Sequence, residues 1–167
     1  YEQPTREYLA RYIIKGWRRA KSVFEFGCGA GKNLALMQSM NPSLKVAGME
    51  INSEAICYGK KLYNNIQIQQ GDEHSLAKMD SNCYDICFTS SVLNHMPEHE
   101  TKIIINQLKR ISKQLVVLLE SNDKAFMQGI LWFIHDYKMF KFRWINSVLT
   151  FEGQKYDLWI WEQNQQL

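Results

Sequence analysis

The sequence predicts an α/β protein built on a doubly wound, mainly parallel sheet, and three observations carry that reading. An apolar run, Val23-Phe24-Glu25-Phe26, leads straight into Gly27-Cys28-Gly29-Ala30-Gly31, as a buried strand does when it enters a tight turn. Short apolar runs alternate with segments of helical periodicity, the pattern of βαβ units. Polar residues able to bind a ligand, Glu25, Glu50, Asp72 and Ser90, stand where successive strands end. That is where an open α/β sheet forms its ligand crevice.

Each element has a local reason. Residues 4–20 place Tyr8, Leu9, Tyr12, Ile13 and Trp17 near helical spacing, after Pro4 at a first-turn position. Strand one covers 22–27. A helix over 31–40 buries Leu34, Leu36 and Met37 and stops at Asn41-Pro42. Strand two covers 44–51, and a helix runs from Ser53-Glu54 to the Asn64-Asn65 turn. In strand three, 66–70, Ile66 and Ile68 alternate with glutamines, so an edge position with one less buried face is expected. Strand four, 85–90, follows a polar turn. Pro97 introduces a helix over 98–111, and strand five, 114–120, holds five consecutive apolar residues, Leu115 to Leu119. A helix over 124–137 and two strands, 144–151 and 155–162, joined around Glu152-Gly153-Gln154, complete the chain. Connections are short and no repeat or linker is visible. One domain over 1–167 is expected, with an N-terminal helix (1–20), a ligand-binding core (21–121) and a C-terminal helix and hairpin (122–167).

Composition narrows the possibilities. Of 167 residues, 46% are hydrophobic and 13% aromatic, which excludes a disordered chain. No apolar run approaches the roughly 20 residues that span a bilayer. No leader-like segment opens the sequence, which begins at Tyr1 and not at a methionine. A net charge of +3 does not call for nucleic acid. The basic cluster Arg18-Arg19-Ala20-Lys21 suits the C-terminal end of a helix. Cys28, Cys57, Cys83 and Cys87 form no C-x-x-C pair, so they read as reduced thiols in a cytoplasmic protein without a metal site.

Glycines at alternate positions let the backbone approach a bound molecule more closely than a Cβ permits. A dinucleotide fingerprint, G-x-G-x-x-G, would need a glycine where Lys32 stands, and the pattern present is E-x-G-x-G-x-G. S-adenosylmethionine has no phosphate but carries an ammonium and two ribose hydroxyls. Carboxylates at Glu25 and Glu50 suit those groups.

Glu25 to Gly31, Glu50, Gly71-Asp72 and Tyr84 to Ser91, in this order, resemble the class I S-adenosylmethionine-dependent methyltransferases. Val92-Leu93-Asn94-His95-Met96-Pro97 is similar to the V-L-x-H stretch of small-molecule members. The resemblance covers about residues 4–121 and fades beyond. It implies a Rossmann-like seven-stranded sheet, order 3-2-1-4-5-7-6, with an antiparallel last hairpin. Glu25 would then face the cofactor's ammonium, Glu50 the ribose and Ile51 the adenine, with Asp72 and Glu73 near the adenine amino group. Gly27, Cys28, Gly29, Gly31 and Ser90 would line the rest of the site. His95 and His135 are the candidate proton acceptors, and Trp132, Phe133 and Tyr137 candidate walls of the acceptor pocket. The N/D-P-P-Y/F stretch of amide and base methyltransferases is replaced by Thr89-Ser90-Ser91-Val92. The expected reaction is methylation of an oxygen or nitrogen of a small polar metabolite. RNA or protein methylation, or a non-catalytic cofactor-binding subunit, are the alternatives. Residues 1–17 are expected to lie across the cleft as a lid, with Arg6 or Tyr8 reaching the methionine carboxylate.

Overall fold

The computed structural model describes residues 3–121, 133–150 and 153–163. Its elements run α1 (Gln3–Gly16), β1 (Ser22–Phe26), α2 (Lys32–Met40), β2 (Lys45–Glu50), α3 (Ser53–Leu62), β3 (Gln67–Gln70) and α4 (Glu73–Leu76), then β4 (Tyr84–Ser90), α5 (Glu98–Ile111), β5 (Ser112–Ser121), β6 (Arg143–Leu149) and β7 (Lys155–Glu162). They build one seven-stranded sheet, ordered β3-β2-β1-β4-β5-β7-β6. The first five strands are parallel, and β7 pairs antiparallel with both β5 and β6. Order and closing hairpin agree with the expectation.

Alternation along the strands divides the core in two. Val23, Ile86, Phe88, Leu115 and Val117 face Leu9, Ile13, Leu34 and Met37 of α1 and α2. Phe24, Phe26, Cys87, Val116 and Leu118 face Ile104, Ile105, Leu108 and Ile111 of α5. Central strands covered on both faces are continuously apolar, as β5 shows. β3 has only Ile68 buried within its span, consistent with its edge position. α5 buries Thr101, Ile104, Ile105, Leu108 and Ile111 at helical spacing, with acidic residues in its first turn and basic ones in its last.

At the sheet's N-terminal end, Asp85 fixes β4 against β1. Its Oδ2 accepts the Lys21 and Ser22 N–H groups at 2.6 and 3.0 Å, and Lys113 sits 3.1 Å from Oδ1. Burial pushes this carboxyl upward, but those donors prevail and hold its pKa below the usual value. The opposite ends of the strands are left for the site.

Three local readings need correction. Residues 133–136 are not helical, and Tyr137–Phe140 form a 3-10 turn; the rest of the helix expected over 124–137 lies outside the described residues. α4, a single turn, went unread because its length is below any periodic signal. Leu36 is only partly buried. Among the described residues no helix is long and apolar enough to cross a membrane.

Gly59 in α3 supplies a test. Helix propensity alone favours alanine there by about 1 kcal/mol. A Cβ at Gly59, however, would lie 2.5 Å from the Ala30 carbonyl oxygen, which is backbone and cannot give way cheaply. Gly59→Ala is therefore expected to destabilise the fold by about 1–3 kcal/mol in urea denaturation, the magnitude of overpacking. An unchanged or higher midpoint would show that α3 packs less closely on the turn.

Candidate functional site

The chain leaves β1 through a turn that side chains would obstruct. Gly27, Gly29 and Gly31 have φ of 72°, 53° and 79°, the left-handed region that favours glycine. A Cβ on Gly27 would also run into the isopropyl group of Val92. The Gly27 and Cys28 N–H groups both donate to the Met49 carbonyl, at 2.8 and 3.1 Å, tying the turn to the end of β2. Gly31 caps α2 with no side-chain hydrogen bond. Cys28 is buried, and burial, with Glu25 and Glu50 nearby, drives its thiol pKa strongly upward, so it stays protonated.

Glu25 is 1% exposed and points toward α2. Its Oε1 accepts Asn33 Nδ2 at 2.6 Å, and Asn33 Oδ1 in turn accepts Arg6 Nε at 3.1 Å. The other oxygen, Oε2, is buried without a partner. Burial pushes the Glu25 pKa up to about 8; Asn33 and Arg6 pull it down and Glu50 adds to the rise. Asn33 was not anticipated from sequence. Its only signal is a polar residue in the first turn of α2, where Lys32 is polar as well.

At the end of β2, Glu50 Oε2 accepts the Gly29 N–H at 2.7 Å and Oε1 the Asn52 N–H at 2.9 Å. Each oxygen keeps a further lone pair for a hydroxyl. Ile51 is 68% exposed, an apolar side chain presented outward beside that carboxylate. Asp72 N-caps α4 in a capping box, both bonds from Ser75 ending on Oδ1. These bonds hold its pKa below the ordinary carboxylate value. Oδ2 is the oxygen Asp72 can offer elsewhere. Glu73 pairs with His74 at 3.2 Å.

Two cavities lie along these strand ends. One, of ≈ 230 Å³, is bounded by Glu50, Ile51, Asp72, Glu73, Val92 and His95. The other, of ≈ 440 Å³, is bounded by Arg6, Glu25, Cys28, Asn33, Tyr58 and Ser90. Gly27 and Ser91 border both, so the cavities are two ends of one cleft. The cleft thus gathers Arg6, Glu25, Gly27, Cys28, Gly29, Glu50, Ile51, Asp72, Glu73, Ser90 and His95, whereas Gly31, which faces Ile66 and Ile68, and His135 border neither cavity. α1 contributes Arg6 but buries Leu9, Ala10 and Ile13 against the sheet, so it is a fixed wall and not a lid. Tyr8 packs on that core and borders neither cavity.

The two histidines diverge. His95, exposed on a 3-10 turn, borders the cavity of Ile51 and Asp72. His135 is buried, and its Nε2 lies 2.9 Å from the Leu93 carbonyl and 3.0 Å from the Met96 carbonyl. A ring nitrogen committed to two carbonyls is not available as a base in this geometry. Tyr137 is likewise core, edge-on to Trp159, and is not a wall of the cleft. Trp132 lies outside the described residues. Among the described residues no group of three His, Cys, Asp or Glu could hold a metal ion.

A raised carboxyl pKa makes stability fall as pH rises. Glu25 binds a proton more tightly folded (about 8) than unfolded (4.5), and Glu120, raised to about 7, acts in the same direction. The stabilisation is complete below the unfolded pKa and is lost by about pH 8. The melting temperature should fall from pH 5 to pH 8, and Glu25→Gln should flatten most of the segment between 7 and 8. A slope unaltered by that substitution would rule out a protonated Glu25 in the free protein.

Comparison with known proteins agrees with this geometry. Residues 18–131 match the family model described as a methyltransferase domain. A curated relative, trans-aconitate 2-methyltransferase of Azoarcus sp. (strain BH72), is 26% identical over 96 residues, 58% of this chain. The match spans 36% of that relative's length. Among solved structures, the methyltransferase domain of bacterial CtHen1 superposes with a TM-score of 0.72 at 17% identity, over 96% of this chain and 98% of that one. Magnesium protoporphyrin IX methyltransferase from Synechocystis PCC 6803, with bound S-adenosylhomocysteine, gives 0.71 at 16% identity, over 93% and 81%. The chain belongs to the methyltransferase-domain family, and so to the class I S-adenosylmethionine-dependent methyltransferases.

Proposed function

We propose that this chain moves the methyl group of S-adenosylmethionine to an oxygen or nitrogen of a small polar metabolite. The observation that carries the reading is the orphaned Glu25 Oε2 in a cavity that also holds Arg6. A buried polar atom without a partner is costly. A carboxylate and a guanidinium side by side complement a zwitterion such as the ammonium and carboxylate of the cofactor's methionine end. Glu50 would take the ribose hydroxyls, Ile51 the adenine face, and Asp72 or Glu73 the adenine amino group. The Gly27–Ala30 backbone and Ser90 would border the link between the two ends.

When bound, the cofactor supplies a sulfonium whose methyl already sits on a good leaving group. The chain's own task is alignment, holding the acceptor atom in line with little acid–base work. An amine acceptor needs no proton removed first. For a hydroxyl, His95 at the cleft rim is the residue that takes the proton. Thr89-Ser90-Ser91-Val92 in place of N/D-P-P-Y/F, and a relative named for trans-aconitate, support a small polar acceptor. A second reading, RNA as acceptor, is favoured by the exposed Met139 and Trp144 among Lys138, Lys141 and Arg143.

Consumption of methyl donor against metabolite fractions and total RNA, at low and high salt, separates the two. Turnover with a metabolite fraction and indifference to salt support the proposal; turnover only with RNA, falling steeply with salt, overturns it.

For the cofactor site, Glu50→Ala should weaken S-adenosylhomocysteine by about 1.5–3 kcal/mol, the worth of charged hydrogen bonds. Binding near pH 7 should also release a proton, since Glu25 is mostly protonated when the cleft is empty and must ionise beside an ammonium. Calorimetry in two buffers of different ionisation enthalpy reads that proton. A Glu25→Gln protein with the wild-type proton count would assign the release to another group.

A further inference from the structure

Residues 91–96, between β4 and α5, are gripped from two sides by distant parts of the chain. From β5, Glu120 reaches in with both oxygens. Oε1 accepts the Thr89 hydroxyl at 2.7 Å and Oε2 the Val92 N–H at 3.0 Å, and the Leu93 and Asn94 N–H groups nearby also favour its charged form. From the segment before the Tyr137 turn, His135 sets Nε2 against the Leu93 and Met96 carbonyls. Carbonyl oxygens only accept, so Nε2 carries the hydrogen and donates. Glu120 is wholly buried and His135 nearly so.

The loop needs such a hold. Ser91 adopts φ 57° without being a glycine, and Asn94 is 1% exposed with both amide atoms unpartnered. Neither feature favours this conformation locally. Yet the loop presents Val92, His95 and Met96 to the cleft, and Val92 fills the space left by the missing Cβ of Gly27.

We propose that Glu120 and His135 are positioning residues, a clamp that holds the 91–96 loop in the conformation lining the cofactor cleft, Glu120 binding its N–H groups as an anion and His135 its carbonyls. Burial pushes the Glu120 pKa up to about 7, against the pull of Thr89 and the loop N–H groups. Among the described residues, the groups facing it are Tyr137 from the 3-10 turn and Asp157, its register partner on β7. Asp157 is itself held by Ser147 and Lys155, and His135 lies against the Tyr137 ring. Protonation of Glu120 replaces an acceptor with a donor facing N–H groups, so, with the carboxyl still buried, the clamp is tight above about pH 7 and loosens locally below it, even as relief of the buried charge favours the fold as a whole.

Two measurements test this, and only the second depends on the cofactor assignment. In amide NMR, the Val92, Leu93 and Asn94 resonances should titrate together near pH 7. Glu120→Gln should abolish that titration. Thr89→Val removes a donor that favours the ionised form, so it should move the midpoint to higher pH. At pH 8.5, Glu120→Gln and His135→Phe should each bind S-adenosylhomocysteine roughly tenfold or more weakly, the effect of losing a charge-assisted or buried hydrogen bond. Loop amides that do not titrate, a Thr89→Val midpoint equal to wild type, or variants that melt lower yet bind as wild type overturn the clamp. Should Glu120→Gln not fold, Thr89→Val and His135→Phe decide the matter. A wild type that shows the amide titration but does not bind S-adenosylhomocysteine keeps the clamp and overturns the cofactor assignment instead.

Discussion

The backbone turn from Gly27 to Gly31 constrains everything that faces the cleft. Its first two N–H groups converge on the Met49 carbonyl, so the exit of β1 is stitched to the last residues of β2. The next glycine N–H takes a Glu50 oxygen, which fixes that carboxylate's direction before any ligand arrives. The missing Cβ of Gly27 admits Val92, bringing in the loop that follows β4. Three strand ends are therefore referenced to one turn. A glycine-rich turn here is a mechanical joint as much as a means of close approach.

Two carboxylates are buried on opposite faces of the sheet, and their satisfaction separates their roles. Burial raises the pKa of both. Glu120 has donors on both oxygens, all from this chain, as befits a group whose purpose is internal. Glu25 has one oxygen on Asn33 and the other on nothing. A half-satisfied buried carboxylate is worse for stability than an apolar side chain of the same size. The Arg6–Asn33–Glu25 chain of hydrogen bonds holds the first oxygen against α2, and Glu25 borders the cleft.

What could be read from sequence followed physical range. Strand order, the glycine turn and the carboxylates at strand ends are encoded locally or by resemblance, and the structure returns them together. Glu50 and Ile51 are legible because a charged residue next to an apolar one at a strand's end has few structural uses. The place of Asp72 at the border of the cleft was legible but its N-cap was not, because its partner Ser75 reads as ordinary loop. His135 was misjudged because residue type suggests chemistry, while its contacts with Leu93 and Met96 arise only when the chain folds back across more than 35 residues. Asn33 and Glu120 were missed for the same reason. A polar residue in a first helical turn, or at the end of an apolar strand, has many uses until its neighbours are known.

Methyl transfer from a sulfonium makes small demands on acid–base chemistry and strict ones on alignment. The contacts here run without a break from β5 to β2. Glu120 holds the Val92 N–H, Val92 abuts Gly27, the Gly27 N–H holds Met49, and Gly29 holds Glu50. Each link is a short hydrogen bond or a van der Waals contact to backbone, and none relies on a long, solvent-exposed side chain. Packed interiors deform little, so such a chain fixes the two ends of the cleft relative to each other. Glu120, which borders neither cavity, thus helps to fix the loop that does. The contacts that support this cleft reach as far as β5, on the other side of the loop that lines it.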